Sequence, residues 1–411
     1  MHFFLLSDRI THERLSWIDD LLKFFFMKLD PASLLHHEKK ADTVFTFLVT
    51  GDALYSFVHP ETLSLWEIIL SLPSVRIICD RDEMDLRGIS VDRLKMKAPD
   101  QVLDHNSMSL SGKPSFWKDV VRFARQTVQP VPSTVGFLQL ESPYMHRSAL
   151  YAVKFLSAAL ESHASIDLYA YLDGVHSGHI GQMPSEAENI GAALDSISDR
   201  AIKRGLQCQM LACSRCANAR GYSTMDDGQG IIISTCMIKP FRIRDLNTLV
   251  DQFKKNHVIL GHNVADFQTL RSTTASLSRA AENLNPPITI LVTHAPYGTE
   301  RTYYAVSFAV ASSHQGIPTQ LIFIEDGVYT LYGNHQTKED EKIFSIQEIL
   351  DTVAGTSNLQ IYAHVPSLRQ RGIVKNPRLT GVLEIGGQEL GQILFNPSGI
   401  GKAGHQRLLF F

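Results

Sequence analysis

Two stretches of this chain repeat each other in constant register, and that repetition constrains the fold more than any other feature. Pro143-Tyr144 is followed by Tyr151-Ala152-Val153-Lys154-Phe155 and then by Asp173-Gly174-Val175. Pro296-Tyr297 is followed by Tyr304-Ala305-Val306-Ser307-Phe308 and then by Asp326-Gly327-Val328. Each pair is 153 positions apart (296 − 143, 304 − 151, 326 − 173). Arg220-Gly221 and Arg371-Gly372 continue the match with a small slip, 47 residues after Gly174 and 45 after Gly327. A weaker third copy stands at the N-terminus: residues 44–50 (VFTFLVT) lead into Gly51-Asp52, and residues 75–79 (VRIIC) into Arg87-Gly88. Repeats of this length read as separately folded units rather than solenoid turns.

Each copy alternates short apolar runs with segments of helical spacing. In the middle copy, residues 134–140, 166–172, 207–212 and 258–261 read as strands, and residues 148–161, 185–204 and 244–254 as helices. In the third copy, residues 289–293 and 320–325 repeat the strand pattern. Strands separated by helices imply right-handed βαβ units and a parallel sheet. Almost wholly apolar strands fit a sheet covered on both faces. The expected fold class is α/β, as three tandem parallel-sheet domains over residues 1–130, 131–283 and 284–411. The prolines at residues 129–133 (QPVPS) and 280–287 (AAENLNPP) mark the boundaries. Loops after strand ends are where such sheets carry function, and both Asp-Gly-Val and Arg-Gly follow strands.

The net charge of −3 argues against a dedicated nucleic-acid or anionic-membrane binder. The N-terminus MHFFLLSDRITHER has no basic region or small-residue cleavage site. Residues 22–29, with Phe24, Phe25 and Phe26, are too short to span a bilayer and read as a buried helix of the first domain. A cytoplasmic, reducing compartment is expected, where cysteines are free, catalytic or metal-bound. The Lys239–Arg244 stretch (KPFRIR) reads as a solvated helix start. No G-x-x-x-x-G-K-[ST], no G-x-G-x-x-G opening a helix and no G-x-S-x-G is present, so no cofactor is expected.

Four of the five cysteines, Cys208, Cys213, Cys216 and Cys236, crowd into the middle copy; Cys79 stands apart. Cys208 and Cys236 lie in apolar runs and read as core, with Cys236 also able to line a site. Cys213-Ser214-Arg215-Cys216 leaves a strand and enters a helical turn. Helix-start N–H groups and the nearby Arg215 and Arg220 favour a thiolate, and thiolate is the nucleophile. C-x-x-C serves metal binding, dithiol redox and sulfur transfer alike. Counting eight residues back from each Gly of Arg-Gly gives Asp80, Cys213 and His364. At that position only the middle copy has a thiol.

With these residues in hand, the pattern C-x-x-C-x-x-A-R-G, preceded by P-Y and D-G-V, resembles the DsrE/DsrF-like family, which includes the TusBCD sulfur-relay subunits and the YchN-like proteins. The middle copy resembles the DsrE/TusD type. The third, with HAPYGTE, IEDGV and SLRQRG, resembles the DsrF/TusC type, and the first is a degenerate copy. The resemblance implies a flavodoxin-like α/β fold and a sulfurtransferase whose cysteine, here Cys213, carries sulfane sulfur as a persulfide. It implies sulfur donor and acceptor proteins, an indirect link to tRNA 2-thiolation or a role in dissimilatory sulfur metabolism, and a homo-oligomer built as a dimer of pseudo-trimers. Arg220 is expected to steady the anion and Cys216 to resolve or tune the persulfide. Asp173 and Tyr144 would support the site. Two other readings stay open: a Zn centre of Cys213, Cys216, His176 and His179, which suits a tetrahedral ion, and a redox-dithiol assembly or sensor protein.

Overall fold

A computed structural model describes residues 2–28, 45–72, 74–108, 114–126, 133–222, 225–226, 232–233, 236–255, 259–261, 263–268, 287–337, 344–395 and 405–411. The expected boundary segments fall mostly outside these residues.

Three strand–helix series follow one another along the chain. The first runs β1 (His2–Leu6), α1 (His12–Lys28), β2 (Phe45–Val49), a 3-10 turn (Gly51–Phe57), α2 (Pro60–Ile69), β3 (Val75–Asp80), α3 (Arg81–Arg87), α4 (Asp92–Lys97), β4 (Val102–His105) and α5 (Phe116–Gln126). The second runs β5 (Thr134–Gln139), α6 (Ser148–Glu161), β6 (Ser165–Ala170), a 3-10 turn (Leu172–Gly178), α7 (Ile190–Lys203), β7 (Cys208–Cys213) and α8 (Ser214–Ala219). It continues through β8 (Met225–Asp226), β9 (Ile232–Ile233), β10 (Phe241–Arg244), α9 (Leu246–Lys255) and β11 (Ile259–Gly261), with β12 (Val264–Gln268) following. The third runs β13 (Ile288–Val292), α10 (Arg301–His314), β14 (Thr319–Phe323), a 3-10 turn (Glu325–Leu331), α11 (Ile346–Val353), β15 (Leu359–His364), α12 (Val365–Gln370), β16 (Val382–Ile385), α13 (Gly387–Phe395) and β17 (His405–Phe410).

These elements form two compact units, one of residues 1–10 with 43–265 and one of residues 11–42 with 266–411. In the first unit, β1, β2, β3 and β4 pair in parallel in that order. A second sheet there has the order β11-β5-β6-β7-β10-β9-β8, parallel except for the antiparallel β10–β9 and β9–β8 pairs. In the second unit, β17, β13, β14, β15 and β16 pair in parallel. The protein is therefore α/β with mostly parallel sheets. The central strands β2, β13 and β14 are buried along their whole length, as a sheet covered on both faces requires.

Of the helix expected over residues 22–29, residues 22–28 form the end of α1 and residue 29 lies outside the described residues; α1 belongs to the second unit, not the first, and Phe25 packs there on Phe395 with ring centroids 4.9 Å apart. The Lys239–Arg244 stretch is corrected from helix start to strand. Phe241–Arg244 pairs with Met210–Cys213, and Phe241 and Ile243 turn inward while Arg242 is exposed. Period-two alternation over four residues placed it there.

Three of the repeated motifs, Asp-Gly-Val, Arg-Gly and Pro-Tyr, have a local geometric cause. A Cβ on Gly174 would lie 2.0 Å from the Gln139 carbonyl oxygen, and one on Gly327 would lie 1.9 Å from that of Val292. Only glycine lets the turn after the second strand pack against the end of the first. The glycine of Arg-Gly follows α3, α8 and α12 with φ of 63°, 76° and 63°, the left-handed region favoured in helix C-terminal caps. The tyrosine of Pro-Tyr also has positive φ, 72° at Tyr144 and 63° at Tyr297. Its hydroxyl accepts from the first helical N–H of α7 (Ile190) or α11 (Ile346), at 3.3 and 3.2 Å.

Candidate functional site

Cys213 ends β7 and serves as the N-terminal cap of α8, with extended φ and ψ of −65° and 126°. The chain turns from strand to helix at this residue, so its Sγ meets the unpaired N–H groups of the first helical turn. The backbone N–H groups of Arg215 and Cys216 and the Cys216 thiol all favour its charged form. The Cys216 contact is the largest influence on Cys213. Together with those N–H groups and the Arg215 charge it outweighs burial and lowers the Cys213 thiol to about 7. Cys216 moves the other way: sharing its proton with Cys213, and then burial, push it far up. When the pair loses its first proton, the negative charge therefore favours Cys213 and the remaining proton Cys216.

Around the pair, the Leu172 N–H donates to the Cys216 Sγ at 3.2 Å. Arg220 caps the end of α8, its Nη1 on the Cys216 carbonyl at 3.3 Å and its Nε on Asp173 Oδ1 at 2.6 Å. Arg220 and Asp173 are thus tied to each other, and the cation whose charge acts on Cys213 is Arg215. Tyr144 lies with Gln182, donating to its Oε1 at 2.6 Å, and with the start of α7. Cys213 is only 1% exposed and Cys216 is fully buried. A reagent reaches the thiolate only when neighbouring chain moves.

The zinc set does not assemble. Among the described residues no three His, Cys, Asp or Glu side chains group as a metal site. His176 Nδ1 lies 2.8 Å from the Tyr222 hydroxyl, and His179 Nδ1 accepts from the Gly181 N–H at 3.1 Å. Each imidazole has a local partner, and Cys216 is engaged by Leu172 and Cys213.

The equivalent loops of the other two series reproduce this geometry with different chemistry. Asp80, Cys213 and His364 all cap the short helix after their strand. Seven residues on, Arg87, Arg220 and Arg371 each bond to the carbonyl four residues back, at 3.3 Å in every case. Each also bonds to the acid of its 3-10 turn: Asp52, Asp173 or Asp326. The residue before that acid has positive φ throughout: 59° at Gly51, 52° at Leu172 and 54° at Glu325.

At the position three places after the cap, sequence reasoning named Cys216 but not its counterparts in the other two series, although aligning the three loops there would have exposed them. The residue there is Glu83, Cys216 or Ser367. Glu83 is 1% exposed and receives Arg147 at 2.6 and 3.0 Å, Arg87 at 2.6 Å and the Tyr151 hydroxyl at 3.1 Å. Ser367 Oγ accepts from the Glu325 N–H at 3.0 Å, as Cys216 does from Leu172, and donates to Glu13 Oε1 at 2.6 Å. His364 Nδ1 sits 2.9 Å from the same Oγ, and burial lowers its imidazole to about 4. These two loops are ionic and hydrogen-bonded networks without a nucleophilic thiol.

The model of the DsrE/DsrF-like family matches residues 287–399, the series that carries His364. An uncharacterized protein of Methanopyrus kandleri is 30% identical over 95 residues, 23% of this chain and 75% of that protein. An uncharacterized protein of Methanocaldococcus jannaschii is 27% identical over 95 residues, 23% of this chain and 78% of that protein. Among solved structures, the YchN protein from E. coli is 22% identical, with a TM-score of 0.25, over 31% of this chain and 99% of its own. The family is associated with sulfur transfer. Among the described residues no helix is long and apolar enough to cross a membrane. The chain belongs to the DsrE/DsrF-like family.

Proposed function

We propose that this chain is a sulfur-relay protein, a sulfurtransferase in which Cys213 accepts sulfane sulfur as a persulfide and passes it to a partner. The observation that carries the reading is the position of Cys213. It is the one thiol among three equivalent helix-capping residues, and Cys216, two N–H groups and Arg215 hold it as a thiolate. The thiolate attacks the outer sulfur of a donor persulfide. The donor S–S bond breaks, its electron pair leaves on the donor thiolate, and Cys213–S–SH forms. Cys216 either tunes this persulfide or displaces hydrosulfide from it to close a disulfide. Arg220 and Asp173 hold α8 against the 3-10 turn so that the Leu172 N–H stays on Cys216.

In this reading the three series are three family copies spanning residues 1–130, 131–283 and 284–411. The first is degenerate, the middle of DsrE/TusD type and the third of DsrF/TusC type. Donor and acceptor are proteins serving tRNA 2-thiolation or dissimilatory sulfur metabolism, and the chain associates as a dimer of pseudo-trimers. The test is mass analysis of Cys213 after incubation with a sulfur donor. Gain of one sulfur at Cys213 supports the proposal, and loading that persists in Cys213→Ser overturns it.

A further inference from the structure

The three equivalent loops isolate a feature that accompanies the thiol. At the fifth position of the 3-10 turn, the first and third series carry Tyr55 and Tyr329, and the second carries His176. Directly after the Arg-Gly glycine stand Ile89 and Ile373, against Tyr222. All three of these residues bond through their N–H to the carbonyl five residues back, at 3.0, 2.9 and 3.1 Å, so the positions correspond. A second imidazole, His179, stands where the others have Val58 and Tyr332. Where the first and third series have a tyrosine and an isoleucine at these two positions, the second has a histidine and a tyrosine joined by a hydrogen bond.

The geometry of the pair is defined. His176 Nδ1 is 2.8 Å from the Tyr222 hydroxyl, and the Tyr222 ring lies between the two imidazoles at 5.7 and 5.8 Å. Asp173 Oδ1 lies 3.9 Å from His176 Nε2 and is itself held by Arg220, whose Nη1 reaches the Cys216 carbonyl. The imidazole is thus linked on both sides to the segment that carries the thiols. Its side chain is 37% exposed, whereas Cys213 is buried. Nδ1 faces the Tyr222 hydroxyl and Nε2 faces Asp173 Oδ1 across 3.9 Å, beyond hydrogen-bond distance, so Nε2 serves as the base in the tautomer whose Nδ1–H donates to Tyr222.

We infer that His176, braced by Tyr222, activates the sulfur acceptor: it takes the proton of an acceptor thiol as that thiol attacks persulfidated Cys213. The inference rests on the sulfur-relay reading above. The acceptor thiol gives its proton to Nε2, and its sulfur forms a bond to the outer sulfur of Cys213–S–SH. The Cys213 S–S bond breaks, and the electron pair returns to Cys213 as the thiolate held by Cys216 and the helix N–H groups. The acceptor departs as a persulfide, and the imidazolium returns its proton to water. No oxidant is needed. Burial lowers the His176 imidazole, with Arg220 and His179 acting in the same sense and Asp173 opposing, which favours the unprotonated ring that can take up a proton. Cys236, whose charge acts on Tyr222, and Tyr222 itself complete the titratable surroundings.

The experiment loads the full-length protein with inorganic polysulfide and confirms the Cys213 persulfide by mass. It then follows sulfur transfer to small thiols of graded acidity from pH 5.5 to 8.5. The wild type is compared with His176→Phe, His176→Gln and Tyr222→Phe. In the His176 variants loading is expected unchanged, while transfer to a weakly acidic thiol falls at least about tenfold. Transfer to a strongly acidic, already ionised thiol is expected to stay near wild type, and added imidazole to restore part of the loss. Tyr222→Phe is expected to shift the acidic limb of the transfer profile. Unchanged transfer in both His176 variants, or equal loss with every thiol, overturns the inference. Failure of the wild type to load overturns the sulfur-relay reading instead.

Discussion

The Leu172 N–H donates to the Cys216 Sγ at 3.2 Å, and Leu172 adopts a φ of 52° in doing so. That backbone state is costly for a non-glycine residue. The third series repeats it with Glu325 and Ser367. An N–H is thus spent on the residue three places after the cap, and Cys216 is left with its proton turned to Cys213. Replacing Cys216 with alanine removes the donor that most lowers Cys213. Cys213 alkylation, which should rise through a midpoint near 7, should then rise about one pH unit higher. Cys216→Ser should shift it less. Alkylation rates against pH check this, and an unmoved midpoint in Cys216→Ala contradicts it.

Cys213 has a favoured thiolate but 1% exposure. Its labelling should therefore be limited by local opening. The rate should rise with alkylator concentration and then level off, and low urea should raise the plateau. A rate linear to high reagent concentration would show an accessible thiol.

Glu83 is a buried carboxylate facing Arg147, Arg87 and the Tyr151 hydroxyl. Burial raises its carboxyl, but these partners prevail and the net direction is down. Its stabilising effect is present above the ordinary glutamate range and is lost as the pH falls through the lowered value. Glu83→Gln leaves Arg147 without its carboxylate and Arg87 with Asp52 alone, and should destabilise the first unit by ~3–5 kcal/mol. Urea unfolding at pH 7 measures the loss, and the gap to wild type should narrow on acidification.

His364 behaves oppositely to a cation that gains a partner. Burial lowers its imidazole to about 4, so the unfolded chain binds the proton more readily. The contribution is complete above pH ~6.5 and is lost as the pH falls toward 4, by on the order of 2–3 kcal/mol. His364→Gln should remove that part of the acid sensitivity of the second unit, seen as a smaller change in urea midpoint between pH 7 and pH 4.5.

The α/β class was legible because short apolar runs alternate with segments of helical spacing, and the recurrence of Pro-Tyr, Tyr-Ala-Val and Asp-Gly-Val at one spacing marked the repeat; Pro-Tyr and Asp-Gly-Val proved to have a local geometric reason. The strands, though not their exact ends, and helix α6 were readable from apolar periodicity. Lys239–Arg244 was misread because three cations in six residues mask a four-residue alternation. The cap equivalence of Asp80, Cys213 and His364 was legible from the Arg-Gly glycine, since a helix C-terminal cap fixes the count back to the strand. The partnership of Glu83, Cys216 and Ser367 was not. Those residues share no chemistry, and only the backbone N–H aimed at two of them and their place in the loop reveal the position. The separation of Cys213 from His176 and His179 as ligands was likewise set by Tyr222 and Gly181, which no metal spacing encodes.

Intact-protein and peptide mass analysis after exposure to a sulfane-sulfur donor tests the central claim most directly. The account predicts one added sulfur on the peptide carrying Cys213, removable by a thiol reductant, abolished in Cys213→Ser and retained in Cys79→Ser, Cys208→Ser and Cys236→Ser. Wild-type protein that gains no sulfur at Cys213, or Cys213→Ser protein that loads as fully as wild type, would contradict it.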